Sequence, residues 1–599
     1  MRRLRFSPIH PAAATVAALL ITLYGGLLRL DAFAGKYGTL DRPGWARVMT
    51  HDVAPIARRL RPPTVAWGRD EQPYVGGDPI NYLAFARAMT SFYQPHVREP
   101  VFLALTRASL WALGHQDAAV SLASAIGSML AIFATYLVGA RLISPLGGLA
   151  AALVMAIDYQ LIVWSVDGWR DDTFTAAVVF AAWALLRLQR GPSFAAALVA
   201  GLAAGAACLT RITAVSFALP GLMWVAIDGA RTLRRERAGH AATASVILAV
   251  VVAPYLISCA IATGDPLLAI NAHTGYYRFA EGVPFQQPMS AGEYIGSRFA
   301  RRPVATFDVG VSGLFVQPFI TKWFGLDIWL KTLRPALYWL ALAGLAALPF
   351  TAPGRLLLVV LLSSLVPYAF TWNLGGGGEW RFTMHAYPFY IVAAVYAAAG
   401  VWRALGAVVR ERTWPSRSTV VPIARRAAAI VAIGSLLAAG YVWLPWFVAR
   451  EAMVNGESVS IETGARDAVF YRTGWSPPHT DGITVRVTRG ERASVFFPLP
   501  EKRAYEIVLR LDPVAAGLQD RVAVLFNRKL AGRIRLTWNP ERVGSYALQL
   551  PEHMVRKGSN ELTLVPESFV TAAAAGRRFA WLDPAEKIGV RVWYVRVVR

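Results

Sequence analysis

The sequence predicts a polytopic α-helical membrane protein of about eleven spans that ends in an extracytoplasmic β-sandwich, and three observations carry that prediction. The 599-residue chain is 55% hydrophobic and only 16% charged, with a mean hydropathy of +0.41, whereas a soluble globular chain averages ~25% charged residues. Its apolar residues fall in runs of about 20, the length a helix needs to cross the hydrocarbon. After residue 448 the texture changes to short alternating runs. The net charge of +24 would point to nucleic acid in a soluble protein. Here lysine and arginine collect in short loops between apolar runs, which is the pattern of membrane topology, so no nucleic-acid partner is expected. Cys208 and Cys259 both lie inside apolar runs, which excludes a disulfide framework, a thiolate cluster and a CxxC redox site.

Eleven stretches read as spans: 11–31, 118–138, 146–165, 173–189, 193–209, 212–228, 243–262, 334–352, 354–372, 383–402 and 427–447. The first follows Met1-Arg2-Arg3-Leu4-Arg5 like a signal peptide, but it is long, lacks a clear small-residue cleavage site and ends in Leu28-Arg29-Leu30-Asp31, so it reads as a span. With the N-terminus cytoplasmic, the inner connectors hold Arg2, Arg3, Arg5, Arg141, Arg187, Arg190, Arg231, Arg234, Arg235, Arg237 and Arg355, then Arg403 to Arg426, with few carboxylates. That bias sets the orientation. It places residues 32–117, 166–172, 263–333 and the C-terminus outside, and predicts residence in the inner (plasma) membrane. A membrane domain is expected over 1–447 and a second domain over 448–599.

In the second domain Thr484-Val485-Arg486-Val487-Thr488, Tyr505-Glu506-Ile507-Val508-Leu509-Arg510, Val522-Ala523-Val524-Leu525-Phe526 and Val590-Arg591-Val592-Trp593-Tyr594-Val595 have the period of half-buried strands. Turn signals such as Lys557-Gly558-Ser559-Asn560 separate them. About 150 residues suit one sandwich.

Candidate chemistry gathers on the outer face, because carboxylates near a membrane are costly to hold and usually serve a purpose. In Gly77-Asp78-Pro79-Ile80-Asn81-Tyr82, Asp78 reads as an N-cap with proline at N1, as a general base for an acceptor hydroxyl, or as both. Glu99, before Pro100, is a poorer cap residue and reads as a functional or a solvated carboxylate. The turn Asp167-Gly168-Trp169-Arg170-Asp171-Asp172-Thr173 holds three carboxylates and one arginine, and one carboxylate is expected to cap the following span. Arg211, in Leu209-Thr210-Arg211, and Arg381, after Gly375-Gly376-Gly377-Gly378-Glu379-Trp380, stand against the inner-side bias. Each reads as an interfacial snorkeller or as a fork for a lipid phosphate. The four glycines lack the Gly-Lys-Ser/Thr of a phosphate loop and read as a mobile loop. His273 is a lone loop histidine, and no HExxH or His/Cys cluster supports a metal. Trp169, Tyr276 and Tyr277 read as sugar-stacking or belt aromatics.

In this order along the chain, Arg29-Leu30, Gly77-Asp78-Pro79-Ile80-Asn81-Tyr82 with Ala84 and Ala86, Arg98-Glu99-Pro100, Asp172-Thr173-Phe174, Gly201 and Gly205 before Leu209-Thr210-Arg211, and Trp380-Arg381-Phe382 with Pro388 resemble membrane glycosyltransferases of the C superfamily. The resemblance is to the branch of protein O-mannosyltransferases and aminoarabinose transferases, and it covers roughly residues 10–400. Pro79 departs from the pattern, standing where many relatives carry a second acidic residue. The resemblance implies a hexosyl or pentosyl transfer from a polyprenyl-phosphate-linked sugar to an envelope glycan, lipid or protein acceptor at the outer face, with membrane lipid as a further partner. It implies Asp78 and Asp172 as catalytic residues, Arg381 and Arg211 on the donor phosphate, and Asp171, Arg170 and Tyr82 as acceptor or sugar contacts. Glu99 and His273 would stand at the positions of a divalent metal. Phe526-Asn527-Arg528-Lys529-Leu530-Ala531-Gly532, Leu548-Gln549-Leu550-Pro551-Glu552 and Lys557-Gly558-Ser559-Asn560-Glu561-Leu562 resemble strand edges of galactose-binding-like jelly rolls, modules that bind carbohydrate or only cap a fold.

Two other functions remain open at the level of sequence. A lipid-glycan transporter or flippase would keep ionisable sites near the midplane and show repeated halves. No repeat is visible, and Asp158, near the outer end of the third span, is the nearest approach to such a site. A non-catalytic assembly factor for envelope polysaccharide would need none of Asp78, Glu99 or Asp172.

Overall fold

The computed structural model describes residues 10–61, 77–228, 234–280, 289–320, 324–328, 330, 333–370, 380–411, 417–464, 466–481, 483–515, 521–536 and 543–599. The glycine loop 375–378 with Glu379, and Arg2, Arg3, Arg5 and Arg231, lie outside them, as do the side chains of Tyr276, Tyr277 and Trp380. The protein is a multi-pass helical membrane protein with a C-terminal β-sandwich. Over its described residues each of the eleven predicted stretches falls mainly on helix. Among the described residues, seven helices are long and apolar enough to cross a membrane, and two shorter apolar helices, Phe194–Thr210 and Ile212–Ile227, accompany them. The third stretch is not one straight span. Helices Pro145–Ile157 and Tyr159–Ser165 meet at a 59° bend. Asp158 at the break accepts the Leu161 N–H at 3.2 Å and the Tyr387 hydroxyl at 2.5 Å. That satisfies a buried carboxylate within the bend, so Asp158 lends no support to an ion path.

Packing divides the described chain into two compact units, 1–295 with 309–416, and 296–308 with 417–599. The helix Arg417–Val454 therefore packs with the sandwich, and the division falls near residue 416 rather than at the 447/448 boundary expected from texture. In the first unit, small residues let helices approach. A Cβ at Gly201 would meet the Ala244 carbonyl at 2.6 Å and Ile247 at 2.7 Å, and one at Gly205 would meet Val251 at 2.7 Å. The glycine spacing of Phe194–Thr210 is thus a seat for the helix Arg234–Thr263, in the manner of small-residue membrane interfaces.

Among the described residues of the second unit eleven strands follow in order: β1 Val459–Glu462, β2 His479–Asp481, β3 Ile483–Arg489, β4 Ala493–Leu499, β5 Tyr505–Pro513, β6 Arg521–Phe526, β7 Lys529–Arg535, β8 Gly544–Leu550, β9 Gly558–Pro566, β10 Val570–Thr571 and β11 Lys587–Val598. One sheet runs β2-β3-β11-β5-β8, with β1 and β10 also on β11, and the other runs β4-β9-β6-β7. Alternate residues fill the space between them: Val495 and Phe497 from β4, Ile507, Leu509 and Leu511 from β5, Val522 and Val524 from β6. The β6-β7 hairpin turns through Asn527 and Arg528, both at positive φ, as a two-residue primed turn requires. Asn527 donates to Asn560 Oδ1 at 2.8 Å, while Asn560 also accepts the Arg556 N–H and donates to the Arg556 and Gly558 carbonyls. The jelly-roll-like edge motifs therefore hold loops together here.

Candidate functional site

The helix Asp78–Ala88 begins one residue earlier than the capping prediction allows. Gly77 takes the cap position at φ +66°, and no side chain caps the helix. Asp78, freed from that task, meets Arg381, whose Nη1 lies 3.4 Å from Oδ2. The guanidinium stacks on Trp169 at 3.9 Å from the ring centroid and lies 4.7 Å from that of Phe382. Trp169 is therefore a platform for an arginine, an arrangement that aromatic faces favour. Its own position depends on Gly168, whose φ of +84° favours glycine and whose Cβ would meet Val120 at 2.9 Å. The Asp78 side chain stays 34% exposed, while the other carboxylates of the set are buried.

The turn before the helix Asp171–Arg190 also corrects a capping prediction. Arg170 occupies the cap position with no side-chain cap bond, because each carboxylate is drawn elsewhere. Asp167 pairs with Lys36 at 2.7 Å, Asp171 with Arg211 at 2.6 Å, and Asp172 accepts the Ser124 hydroxyl at 2.9 Å. Asp171 and Asp172 still favour the helix dipole from its first turn. Arg211 also donates to the Tyr368 hydroxyl at 3.1 Å and sits 5.3 to 5.9 Å from the ring centroids of Phe174, Tyr368 and Phe382. Arg170 donates to Glu99 Oε2 at 2.5 Å, and Glu99 Oε1 accepts the Ile212 N–H at 2.8 Å. Glu99 thus stands just ahead of its own helix, Pro100–Ala112, and bonds the first residue of a different one. Tyr82 is buried edge-on against Phe102 at 5.3 Å with the Arg170 guanidinium 5.9 Å from its ring centroid.

These pairs border a cavity of about 90 Å³ whose walls include Glu99, Arg170, Arg211, His273, Tyr294 and Tyr368. Five of the nine sequence candidates thus gather at this cavity, Glu99, Arg170, Arg211 and His273 on its wall and Asp171 paired behind Arg211. Asp78 and Arg381 form a second, more open pair, and Tyr82 lies against Arg170. Asp172 is not brought to the cavity. It is held between the helices Ala119–Leu142 and Asp171–Arg190, near Ser128, which accepts from the buried Arg29 at 2.8 Å. Residues not assigned from sequence are Arg98 and Tyr368. Arg98 was visible beside Glu99, whereas Tyr368 comes from a distant apolar helix with nothing to mark it.

Arg98 Nη1 lies 3.2 Å from His273 Nδ1. Burial first, then the charges of Arg170, Arg98, Arg211 and Arg381, push the imidazole pKa well below its ordinary value of 6.5. The metal expectation fails on this chemistry. Both Glu99 oxygens are taken by donors, His273 Nδ1 faces a guanidinium, and a divalent ion would enter a neighbourhood already rich in arginine. Among the described residues, no three His, Cys, Asp or Glu side chains are grouped to hold one.

Residues 94–257 match the family model described as dolichyl-phosphate-mannose-protein mannosyltransferase. No curated protein matches the chain. Among solved structures, the oligosaccharyltransferase AglB from Archaeoglobus fulgidus, in complex with an inhibitory peptide and a dolichol-phosphate, is 16% identical at a TM-score of 0.38, covering 73% of this chain and 56% of AglB. ArnT from Cupriavidus metallidurans bound to undecaprenyl phosphate is 18% identical at 0.36, covering 64% and 65% respectively. The CBM36-1 domain of a xylanase from the hindgut metagenome of Trinervitermes trinervoides is 10% identical at 0.17, covering 24% of this chain and 98% of that domain. The chain spans little more than half of AglB, and likenesses this loose say nothing of activity. Over residues 94–257 the resemblance read from the sequence is borne out as a match to the mannosyltransferase family, with Glu99, Asp172 and Arg211 inside the matched stretch and Asp78 and Arg381 outside it.

Proposed function

We propose that this protein transfers a sugar from a polyprenyl-phosphate-linked donor to an acceptor hydroxyl at the outer face of the inner membrane, with its N-terminus cytoplasmic and its sandwich outside. The observation that carries the proposal is the Asp78–Arg381 pair. It sets a partly exposed carboxylate beside a guanidinium fixed on Trp169 and Phe382. Transfer needs both groups. The acceptor oxygen bonds to the anomeric carbon as the bond from that carbon to the phosphate oxygen breaks. Asp78 takes the hydroxyl proton, and Arg381 holds the negative charge that the departing polyprenyl phosphate gains.

The buried pairs Glu99–Arg170 and Asp171–Arg211 hold the walls of the adjoining cavity rigid, with Arg211 as a second support for phosphate. Asp172 acts as a positioning residue between two helices. A separate apolar cavity of about 410 Å³, lined by Leu23, Leu27, Phe33, Leu122 and Met129, suits an isoprenoid chain. The sandwich is read as a carbohydrate-binding-like module for the acceptor.

The test is transfer by the purified full-length protein from a polyprenyl-phosphate sugar. Asp78→Asn is expected to lose at least 100-fold in turnover with donor binding retained, and Arg381→Ala to weaken donor binding. Wild-type turnover in Asp78→Asn would remove the carboxylate from the mechanism.

A further inference from the structure

At the far ends of the helices that build this site lies a second polar cavity, of about 190 Å³, bordered by Arg141, Gln189, Arg190, Asp228, Arg237 and Ala352. Asp171 and Arg190 are the first and last residues of one 20-residue helix, which at 1.5 Å per residue puts about 30 Å between the two sites. The helix Ala352–Ala369 repeats the arrangement, with Ala352 at this cavity and Tyr368 at the other.

The charges of this cavity do not cancel. Its one carboxylate among the described lining residues, Asp228, is already satisfied. It accepts from Arg355 Nη2 at 2.8 Å and Nε at 3.3 Å, and from Trp224 Nε1 at 3.0 Å. Arg141, Arg190 and Arg237 are left without a carboxylate partner among the described residues, although Arg237 Nη1 donates to the Asp228 backbone carbonyl at 3.0 Å and Arg190 is exposed. Arginines that only set topology stand in water, whereas Arg237 is 9% exposed. Nε of Arg237 and Nε of Arg141 are both buried with no hydrogen-bond partner among the described residues. Two buried Nε donors without a described partner, on a wall of three arginines around a space larger than a water molecule, have the chemistry of an anion site.

We infer that this cavity binds a phosphate group at the membrane face opposite the transfer site. The chemistry is that of an anionic lipid headgroup or of free phosphate. A basic pocket between spans on the cytoplasmic side favours the lipid. The proposal does not depend on the glycosyltransferase reading.

The full-length protein in phosphatidylcholine nanodiscs provides the test. Adding phosphatidylglycerol is expected to raise the unfolding temperature by several degrees, and inorganic phosphate at fixed ionic strength to do so only if the ligand is the free ion. Arg141→Gln with Arg190→Gln should abolish the shift, and the corresponding lysine pair should keep it. A measurement that needs no variant is protection from phenylglyoxal, read by peptide mass. Occupancy by either ligand should shield Arg141 and Arg190. No shift and no shielding with either ligand, or a full shift in the glutamine pair, would overturn the inference.

Discussion

At the residue scale, the site is governed by what a buried charge demands. Glu99, Asp171, Arg170 and Arg211 are all nearly excluded from solvent, and each is matched by a partner. Removing one member of such a pair strands the other and typically costs about 3–5 kcal/mol. Arg211→Met should therefore destabilise the helical unit by about that amount in an unfolding titration, while Arg211→Met combined with Asp171→Leu should recover much of it. Asp78 is different, since it is partly solvated and its loss should touch turnover far more than stability. His273 adds a pH signature. Its folded pKa is depressed, whereas in the unfolded chain it protonates near 6.5. Its contribution to stability is therefore intact above about pH 6.5 and is lost as the pH falls below that value. His273→Asn should flatten the acid side of a stability-versus-pH curve without altering it at pH 8. The identities of these residues were legible because arginines and carboxylates away from the basic connectors stand out against an apolar chain. Their pairings were not, because Glu99 finds Arg170 and Arg381 finds Asp78 across 71 and 303 positions, and no local pattern encodes such distances.

At the element scale, apolar runs located the helices and alternation located the strands, since burial dictates both periods. What failed was the reading of helix starts. Asp78 was read as a cap, a base or both, and one of the 167–172 carboxylates was expected to cap, because capping is the simplest use of an aspartate before a helix. Tertiary partners overrode it in each case. The bend at Asp158 was likewise hidden inside one continuous apolar run. The glycine spacing in Phe194–Thr210 carried a physical meaning beyond its likeness to a family pattern. Gly201→Val would drive a branched side chain into the Ala244 carbonyl and Ile247, and overpacking of this kind costs about 1–3 kcal/mol. The variant should unfold at a lower denaturant concentration than Gly201→Ala, with Leu202→Val, an exposed neighbour, close to wild type.

At the scale of the whole molecule, the helical unit carries polar chemistry at both ends and an apolar interior between. The arginine bias from which an orientation was read also supplies the cavity wall at Arg141, Arg190 and Arg237. The family match over 94–257 covers one of the helices that join those two ends, Asp171–Arg190, and it leaves Ala352–Ala369, Asp78, Arg381 and the sandwich to be argued from geometry. The central claim is that the outer site breaks a sugar–phosphate bond, and a carrier would not. The most direct measurement follows a radiolabelled polyprenyl-phosphate sugar with the purified full-length protein and an envelope extract as acceptor. The account predicts stoichiometric release of polyprenyl phosphate with label in the acceptor, and neither with Asp78→Asn. Label that crosses the bilayer while the donor stays intact would contradict it.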